Sequence, residues 1–490
     1  MLTRQRIYLA LFLSILCLQG LRGSAESKVA TQSSPLRAAA CAIDITPPRF
    51  PISVNGGMSD RQAQAAHDPL HARCLVLANA HTQLVLMVCD SCMIPREIID
   101  SARHRAAYRT GIPADHMLIS ATHAHSCPTV GGVFQSDPDP DYVLYLSDKM
   151  VEAIECAHHK LVPAEMGWIT TEDHAQVFNR RWLLKEGILA ENPFGQRVDR
   201  VKMNPGFGNT EVSHPAGPVD PQISVIAVRT LDGKPLAILA NYGLHYVGGV
   251  PGQLLSADYF GEFALRLNRL IGGDRANPPC VVMMTNGTSG DVNNIDYRLQ
   301  AAPQRAPFEQ IGVVAESVAR KVAEALPRIT YRSHVTLASV QREITWGVRK
   351  PSAEEVQQAR AWLAEAPPGR PLQGVKLIYA RETVLLDEYP HSVTARIQAL
   401  RIDDLAIVSS PCETFAETGL AIKKGSPFRH TFVIELANGY NGYLPTPEHH
   451  ALGGYETWRA RSSYLAVDAE PLLRQTWHDL LRELSASGQP

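Results

Sequence analysis

Short apolar runs of strand length alternate with longer helical patterns through most of this chain. Two of the runs, residues 223–229 and 235–241, flank the turn Asp232-Gly233, which is a signal for an antiparallel hairpin. The mixture predicts an α/β fold, a large single domain with a mixed, partly antiparallel sheet and flanking helices. Further strands are predicted at residues 74–79, 84–90, 116–121, 280–285, 335–344, 393–402, 405–410 and 430–436, and helices at residues 96–108, 141–160, 259–271, 308–325, 413–424 and 469–484.

The chain has 490 residues, enough for one large domain or two to three ordinary ones. No convincing linker or internal repeat divides it, so residues 37–490 are assigned to one domain. Two stretches rich in Pro and Gly, residues 203–218 and 366–374, are expected to be surface loops, and the second is a candidate subdomain edge. A formal net charge of −2 offers no basic face for nucleic acid, and we expect no nucleic-acid partner.

The first 25 residues have the pattern of a secretory signal peptide. Arg4 and Arg6 form a short basic region, residues 7–16 are an apolar run too short to span a bilayer comfortably, and Gly23-Ser24-Ala25 offers small residues for cleavage. We therefore expect a secreted or periplasmic protein, with an uncleaved membrane anchor as the alternative. Residues 26–36 are small and polar and are expected to form a disordered lead-in.

The cysteines are sparse. Of the nine, Cys17 falls within the predicted signal peptide, and the even number that remains permits disulfides in an exported chain. Cys89 and Cys92 form a CxxC sequence at a strand end, where a redox or zinc role is conceivable, but no second CxxC is present. We expect these two to be core or disulfide residues, and the sequence does not determine the pairing.

Side chains that can bind a metal follow five of the predicted strands directly. Because ligands in α/β folds bind outside the carboxyl ends of strands, these five ends are candidates to converge on one site. The stretches that follow the strands are Thr122-His123-Ala124-His125-Ser126, Gly243-Leu244-His245, Gly290-Asp291, Pro411-Cys412-Glu413 and Asn438-Gly439-Tyr440-Asn441-Gly442-Tyr443.

Each of these features alone also has an ordinary structural explanation. The His-x-His sequence is close to what chance provides, and a lone His245 is more often a structural histidine. Glu413 alone would be a carboxylate at the start of the helix predicted at residues 413–424. Asp291 is equally consistent with a turn carboxylate that caps its loop. The glycine-rich stretch at residues 286–290 lacks the lysine of a phosphate-binding P-loop.

The ordered combination of motifs resembles the neutral/alkaline (non-lysosomal) ceramidases. The resemblance covers roughly residues 38–480, the family's catalytic region, and implies a ceramidase-like zinc hydrolase domain over residues 37–490. The immunoglobulin-like domain that follows in well-known members is expected to be absent. The motifs are Ile43-Asp44-Ile45-Thr46-Pro47-Pro48, the His123 and His125 stretch, Asn179-Arg180, Leu244-His245, Gly290-Asp291-Val292, Pro411-Cys412-Glu413 and the stretch that ends at Tyr443.

The resemblance implies one Zn²⁺ per chain. Its ligands would be His123, His245, Glu413 and Tyr443, a nitrogen and oxygen set that suits zinc.

Four further residues are candidate catalytic residues. By the same resemblance His125 lies near the scissile group, Arg180 is the arginine of the site, and Tyr455 steadies a tetrahedral intermediate. Asp291 is a candidate to orient His or Asn side chains around the metal. The alternative for Arg180 is a salt bridge to one of the acids of the site.

Two positions depart from the family pattern. The family sequence GDVSPN carries a serine that is often named as the nucleophile, and this chain has Asn293 in its place. Cys127 replaces the glycine of the family sequence HSGP. Either a metal-bound hydroxide attacks, which needs no serine, or this branch has changed its substrate or lost amidase activity.

The main hypothesis is a secreted zinc-dependent amide hydrolase that cleaves an N-acyl bond, in ceramide or a related N-acyl lipid, with a zinc-activated water. A zinc esterase, a lactonase or a hydrolase of another N-acyl substrate is the first alternative. A non-catalytic, metal-stabilised binding protein is the second. The expected partner is a small-molecule lipid or N-acyl substrate, with membrane-surface contact as a further expectation and no protein partner inferable. Leu183, Leu184, Tyr242 and Trp458 are groove candidates, for which core packing is the alternative.

Overall fold

The computed structural model describes residues 33–486, and its framework is a pair of β-sheets packed face to face. The larger sheet is mixed: its two edges are parallel pairs, and the strands between them are antiparallel. From one edge to the other, its eight strands are Val281–Asn286, Pro235–Tyr242, Gln222–Thr230, Val162–Glu172, Arg37–Asp44, His71–Ala78, Gln83–Cys89 and Met117–Ala121.

The smaller sheet has four strands and ends in a parallel pair as well. The first three strands are antiparallel neighbours, and a hairpin at Asp403 joins the second to the third. In order across the sheet the strands are Leu337–Gly347, Ser392–Ile402, Leu405–Ser409 and His430–Ile434.

Nine α-helices lie within the described range, and six of them cover the outer faces of the sheets. A side chain caps the N-terminus of three of them; the helix that begins at Pro140, for example, has Asp139 as its N-cap, whose side chain accepts a hydrogen bond from the Asp141 amide. In chain order they are α1 (Arg96–Thr110), α2 (Pro140–His159), α3 (Asp258–Leu270), α4 (Glu309–Ala325), α5 (Ala353–Ala364), α6 (Val375–Asp387), α7 (Ala416–Gly425), α8 (Pro447–Leu452) and α9 (Ala469–Ala486).

The core is divided into layers by the alternation of side chains along the strands. Leu75 and Leu77 of one strand face the smaller sheet, whereas Cys74 and Val76 of the same strand face α1 to α4. The outer face of the smaller sheet packs against α7 and α9, where Trp477 is fully buried. The fold is therefore a four-layer arrangement of helices, sheet, sheet and helices.

Short strands of two to four residues form small separate sheets in the connections outside these two sheets. The disulfide between Cys41 and Cys156 joins the larger sheet to α2. The short strands are Ser34–Pro35, Ile52–Val54, Arg61–Ala63, Ala65–Ala66, Phe178–Asn179, Arg181–Leu184, Ala190–Glu191, Arg197–Asp199, Val201–Met203, Val212–Pro215, Leu254–Leu255, Val292–Asn293, His334–Val335, Glu413–Thr414 and Tyr443–Leu444.

The predicted α/β class with a mixed, partly antiparallel sheet and flanking helices is confirmed. The pattern did not divide the strands between two sheets, and it missed the strands Arg37–Asp44 and Val162–Glu172 and helices α5 and α6. The proposed loop at residues 366–374 joins α5 to α6, which pack against each other. The loop at residues 203–218 contains the strand Val212–Pro215.

Two expectations for the N-terminal and cysteine regions are corrected in detail. The disordered lead-in does not extend to residue 36, because Ser34–Pro35 pairs with His334–Val335 and Leu36 is buried between the sheets. The signal segment and residues 26–32 lie outside the described residues. Cys89 and Cys92 are buried and free, so the core alternative holds for them and the disulfide alternative is wrong. No helix in the described range is long and apolar enough to cross a bilayer.

Candidate metal centre

Three parallel strand pairs end at the same place, at the junction of the two sheets. Main-chain hydrogen bonds join the pairs where they end: the Ala121 amide donates to Leu436 O at 3.0 Å, and the Glu435 amide donates to Asn286 O at 3.1 Å. Since side chains that follow parallel strands emerge at the same edge, this junction brings together residues far apart in the chain. The stretches that reach it contain His123, His245, Ser289, Glu413 and Tyr443.

Two histidines and a glutamate meet at this junction. His123 Nε2 lies 3.0 Å from His245 Nε2 and 3.2 Å from Glu413 Oε2, and His245 Nε2 lies 3.6 Å from Glu413 Oε2. All three side chains are buried. His123 has a φ of +73°, a left-handed conformation that costs energy in a residue with a side chain and that is concentrated at functional sites.

The hydrogen bonds of the two histidines leave their Nε2 lone pairs directed at this centre. His123 Nδ1 lies 2.7 Å from Cys92 O, and His245 Nδ1 lies 3.0 Å from Ser289 O. A carbonyl oxygen can only accept, so both Nδ1 atoms carry the proton and both Nε2 atoms are unprotonated in the neutral ring. Such carbonyl partners fix the orientation of metal-binding histidines.

The donor set therefore fits a divalent cation. Two Nε2 lone pairs 3.0 Å apart repel each other unless a positive charge lies between or beside them. Glu413 Oε2 is buried and has no hydrogen-bond donor, and its other oxygen accepts from Tyr440 OH at 2.9 Å. Two imidazoles and a carboxylate with this orphaned oxygen are ligands that zinc accepts.

Different influences set the pKa values of the two histidines. Burial lowers the pKa of His123, but the Glu413 carboxylate outweighs burial and raises it. Burial followed by the neighbouring His123 and Arg180 lowers the pKa of His245 and keeps its imidazole neutral.

Tyr443 lies beside Glu413 in the two-stranded parallel pair that these residues form, so the fourth predicted ligand is adjacent to the third. Its hydroxyl accepts a hydrogen bond from Arg180 Nη2 at 3.0 Å. Burial raises the pKa of Tyr443, and Arg180 opposes that effect by favouring the phenolate. Gly290 is required for this packing, because a Cβ at that position would lie 2.4 Å from Glu413 O.

Arg180 belongs to a buried ion-pair network. Its Nε donates to Glu456 Oε1 at 2.9 Å, and its Nη2 also donates to Gly290 O at 2.8 Å. Arg181 Nη1 donates to the second oxygen, Glu456 Oε2, at 2.5 Å. The predicted alternative for Arg180, a salt bridge to an acid of the site, therefore exists together with the contact to Tyr443.

His125 stands at the edge of the cluster between two close neighbours. Its Nε2 lies 3.1 Å from His123 Nε2, and its ring stacks on Tyr246 with the centroids 3.7 Å apart. On the other side, a Cβ at Gly56 would lie 2.4 Å from the imidazole, and Gly56 has a φ of +105°. Only glycine is compatible with both constraints, so this position fixes where the imidazole can lie.

Tyr455 and Asp291 stand at different distances from the cluster. The half-buried Tyr455 ring meets the Tyr443 ring edge to face with the centroids 5.8 Å apart. Asp291 is buried and touches no histidine; its carboxylate accepts hydrogen bonds from Asn179 Nδ2 at 2.7 Å and from the Ala416 amide at 2.8 Å. Burial raises the pKa of Asp291 to about 6. Its contacts match the alternative of a carboxylate that holds loops together.

The two departures from the family pattern are both buried. Asn293 Nδ2 donates to Asn204 Oδ1 at 2.8 Å, and Asn293 Oδ1 accepts from the Ile295 amide at 3.0 Å, so the side chain is engaged in loop contacts. Cys127 is a free thiol inside the core.

Asp258 lines two cavities. The smaller holds about 200 Å³ and opens on His125, Tyr246 and Arg61. The larger holds about 750 Å³ and lies among α2, α3 and α4, and none of the four predicted metal ligands lines it. The groove candidates line neither cavity: Tyr242 is buried with its hydroxyl on Asp173 O.

Sequence reasoning missed four residues that support the site. Tyr440 binds Glu413, Glu456 binds both arginines, Tyr246 stacks on His125, and Cys92 holds His123 through its carbonyl. Tyr440 lies within one of the motifs, and Tyr246 and Glu456 directly follow the assigned residues His245 and Tyr455. Cys92 Sγ also lies within reach of His123 and His125, but His123 Nδ1 is already committed to the Cys92 carbonyl.

Comparison with known proteins places this chain among ceramidases in fold. It matches no protein-family model. It is 23% identical over 263 residues to neutral ceramidase A of Dictyostelium discoideum, a match that covers 50% of this chain and 32% of the relative. The chain thus spans about a third of the length of the curated relative it matches.

The solved structures extend the similarity over nearly the whole chain. Neutral ceramidase from Pseudomonas aeruginosa superposes with a TM-score of 0.70 at 19% identity, over 93% of this chain and 75% of that one. A ceramidase complexed with C2 superposes with a TM-score of 0.69 at 18% identity, over 92% of this chain and 76% of that one. The resemblance predicted from the motifs is confirmed at this level: the chain has the neutral ceramidase-like fold.

Proposed function

We propose that this chain is a zinc-dependent hydrolase of the neutral ceramidase type that cleaves the C–N bond of an N-acyl substrate. The observation that carries the proposal is the buried cluster of His123, His245 and Glu413, whose ligand atoms face one another within 3.6 Å. The fold and sequence similarity to neutral ceramidases supports the same reaction class.

His123, His245 and Glu413 would hold the ion, with Tyr443 as the fourth protein ligand. When bound, zinc supplies a Lewis acid that polarises a carbonyl and makes water acidic enough to react at neutral pH. Tyr440 and the carbonyls of Cys92 and Ser289 orient the ligand atoms, so the ligand side chains need to move little when the ion binds.

Two hydrogen-bond donors beside the cluster remain for the substrate. Arg180 Nη1 and Tyr455 OH form no hydrogen bond with the described residues, although the rest of the Arg180 guanidinium is fully engaged. Donors held rigidly beside a reacting carbonyl stabilise the negative charge that develops on its oxygen. His125 Nε2 lies at the mouth of the cluster and can hydrogen-bond the amide from the cavity side.

Asn293 has no hydroxyl, so the attacking oxygen is assigned to water and not to the protein. The same substitution is the reason to consider an ester or lactone substrate, since it marks a changed reaction site. The nitrogen that leaves an amide must be protonated, whereas the oxygen that leaves an ester depends less on protonation. Cleavage rates of matched amides and esters therefore distinguish the two bond classes.

The test is the purified protein with its metal content measured. We expect close to one zinc per chain, loss of amide hydrolysis after chelation, and recovery with added zinc. The substrates are ceramides with short and long acyl chains, N-acyl amino acids, and matched esters. Full activity of the metal-free protein would reject zinc dependence, faster cleavage of esters would favour the ester alternative, and bound zinc without turnover of any substrate would favour a binding protein.

We further propose that the protein is exported. The segment at residues 1–25 has the pattern of a signal peptide, and the Cys41–Cys156 disulfide is of the kind found in oxidising compartments. N-terminal sequencing of the protein recovered from the cell exterior or periplasm should begin near residue 26, and a cytoplasmic protein with an intact N-terminus would contradict export.

A further inference from the structure

The cavity that opens on His125 has a chemistry unlike that of a lipid groove. It holds about 200 Å³, below the range of roughly 300–1,000 Å³ typical of pockets for larger organic ligands. Part of its wall is backbone, because Gly56, Gly57, Gly248 and Gly249 contribute no side chains. This space suits a compact polar group and not the paired hydrocarbon chains of a lipid.

Arg61 brings an uncompensated positive charge to this cavity. Its Nη2 donates to His125 O at 2.5 Å, and no carboxylate of the described residues lies within ion-pair distance of the guanidinium. The side chain is partly exposed, so its remaining N–H groups can reach a ligand. Arg180, by contrast, has its charge paired with Glu456, and only its Nη1 is without a hydrogen bond among the described residues.

The one acid in the cavity wall does not neutralise Arg61. Both oxygens of Asp258 accept main-chain hydrogen bonds, Oδ1 from Val247 at 3.0 Å and from Tyr259 at 2.6 Å, and Oδ2 from Gly248 at 2.9 Å. Asp258 therefore holds the loop at residues 247–249 in place, and Arg61 is left as the charged group available for recognition. A guanidinium with free N–H groups binds a carboxylate in a bidentate manner.

We propose that Arg61 binds the carboxylate of an anionic N-acyl substrate, an N-acyl amino acid of short acyl chain, and so determines specificity. The inference rests on the proposed amide hydrolase function. Because Arg61 is held by the carbonyl of His125, and His125 Nε2 lies 3.1 Å from His123 Nε2, the anion lies close to the scissile amide, as an α-carboxylate does. Water adds to the acyl carbon, the C–N bond breaks, and the nitrogen takes a proton, which releases a carboxylate and an amino acid.

The experiment compares N-butanoylglycine with its neutral analogue N-butanoylglycinamide on the zinc-loaded protein. We expect kcat/KM for the anionic substrate to exceed that for the neutral one at least tenfold. Arg61→Gln should lower kcat/KM for the anionic substrate at least tenfold, mainly through KM, and leave the neutral one within twofold. Arg61→Lys, which keeps the charge, should recover part of the loss.

Arg200→Gln is the matched control, because Arg200 is also an exposed arginine with one bond to a carbonyl, at Ala451, and lies outside the cavity. It should leave both substrates unchanged. Equal cleavage of the two substrates by the unmodified protein, or an equal loss for both in Arg61→Gln, would overturn the proposal.

Binding separates this proposal from the proposed function. If the zinc-loaded protein cleaves no amide, the proposed function fails, and calorimetric titration with N-butanoylglycine then decides about Arg61 by itself. Binding that is at least tenfold weaker in Arg61→Gln than in the unmodified protein supports the anion site. Equal binding by the two proteins, or no binding by either, overturns it.

Discussion

Two buried polar clusters lie side by side in this protein, and they differ in whether their own side chains complete them. In the first, Arg180 and Arg181 share the carboxylate of Glu456, and each charge faces an opposite charge. In the second, His123 and His245 direct two nitrogen lone pairs at each other and at Glu413, whose Oε2 has no donor.

The difference separates scaffolding from a binding site within one region of the core. Burying two facing nitrogen lone pairs beside a carboxylate oxygen that has no donor is costly, so the second cluster implies a missing cation. In the ion-pair network each guanidinium is paired with Glu456, and the network holds the loops around Tyr443 and Gly290 in place. The comparison predicts that the second cluster responds to metal and the first does not.

The largest effect is expected for His245→Ala, which removes one of the two nitrogen ligands. Bound zinc should fall from close to one per chain to near zero, with loss of all measurable turnover, because a three-ligand remnant binds the ion far more weakly. Bound zinc is measured by inductively coupled plasma mass spectrometry, and turnover by hydrolysis of an N-acyl substrate. His81→Ala, at an exposed position, is the control, and retention of zinc and turnover by His245→Ala would contradict the assignment of the centre.

Glu456→Gln tests the self-sufficient cluster and should act on stability first. Burial raises the pKa of Glu456, but Arg181 and Arg180 outweigh it and hold the pKa below its usual value. The pair therefore stabilises the fold above a pH of about 4.3, and this contribution is lost as the pH falls. Removing the charge leaves two buried guanidinium groups uncompensated, which typically costs about 3–5 kcal/mol.

Urea unfolding of the zinc-loaded protein measures that cost. The control is Glu343→Gln, which removes an exposed carboxylate paired with Arg96 and Arg396 and should cost about 1 kcal/mol or less. If Glu456→Gln were no more destabilising than this control, the ion-pair network would not be a stabilising part of the fold. Zinc content should stay near one per chain, since none of the proposed ligands is changed.

Tyr455→Phe addresses the donors that lie between the two clusters. The hydroxyl has no partner among the described residues, so its removal should spare stability and zinc content. Loss of one donor to a developing oxyanion lowers kcat by about 10²-fold, or about 3 kcal/mol of barrier. Steady-state kinetics check this, with Tyr389→Phe, whose ring packs on Tyr464 away from the cluster, as the control. An unchanged kcat would remove Tyr455 from the proposed mechanism.

Sequence patterns predicted the fold class because most strands and helices carry strong local signals. The missed strand Arg37–Asp44 contains three successive alanines, Ala38 to Ala40, a residue type depleted in strands. Helix α5 was missed because it buries only Val356 and Ala359, which gives a weak apolar stripe. The arrangement of strands in two sheets depends on pairings distant in sequence, which no local pattern specifies.

The same limit applies to the site. The order of the motifs placed His123, His245 and Glu413 together, and the structure brings these three within bonding reach of one ion. Their supporting partners could not be predicted, because contacts such as that of Arg180 with Glu456 join residues 276 positions apart and arise only from tertiary packing. For Asp291 the motif was clear, but its carboxylate touches no histidine and accepts hydrogen bonds instead from Asn179 and from the amide at the start of α7.

The smallest effect is expected for Tyr440→Phe, which changes the metal cluster without removing a ligand. Tyr440 OH donates to Glu413 Oε1 at 2.9 Å and so directs the other oxygen, Oε2, at the two histidines. Loss of such an orienting partner typically weakens metal binding about 10–100-fold, so zinc should remain bound at saturation but compete less well with a chromophoric chelator. Tyr464→Phe is a matched control, because its hydroxyl donates to Asn441 Oδ1 at 2.8 Å in the same loop, away from the ligands. An equal loss of zinc affinity in both variants would mean that the loop as a whole, and not the Tyr440 hydrogen bond, controls zinc binding. The distinction between the two clusters would then not extend to individual hydrogen bonds.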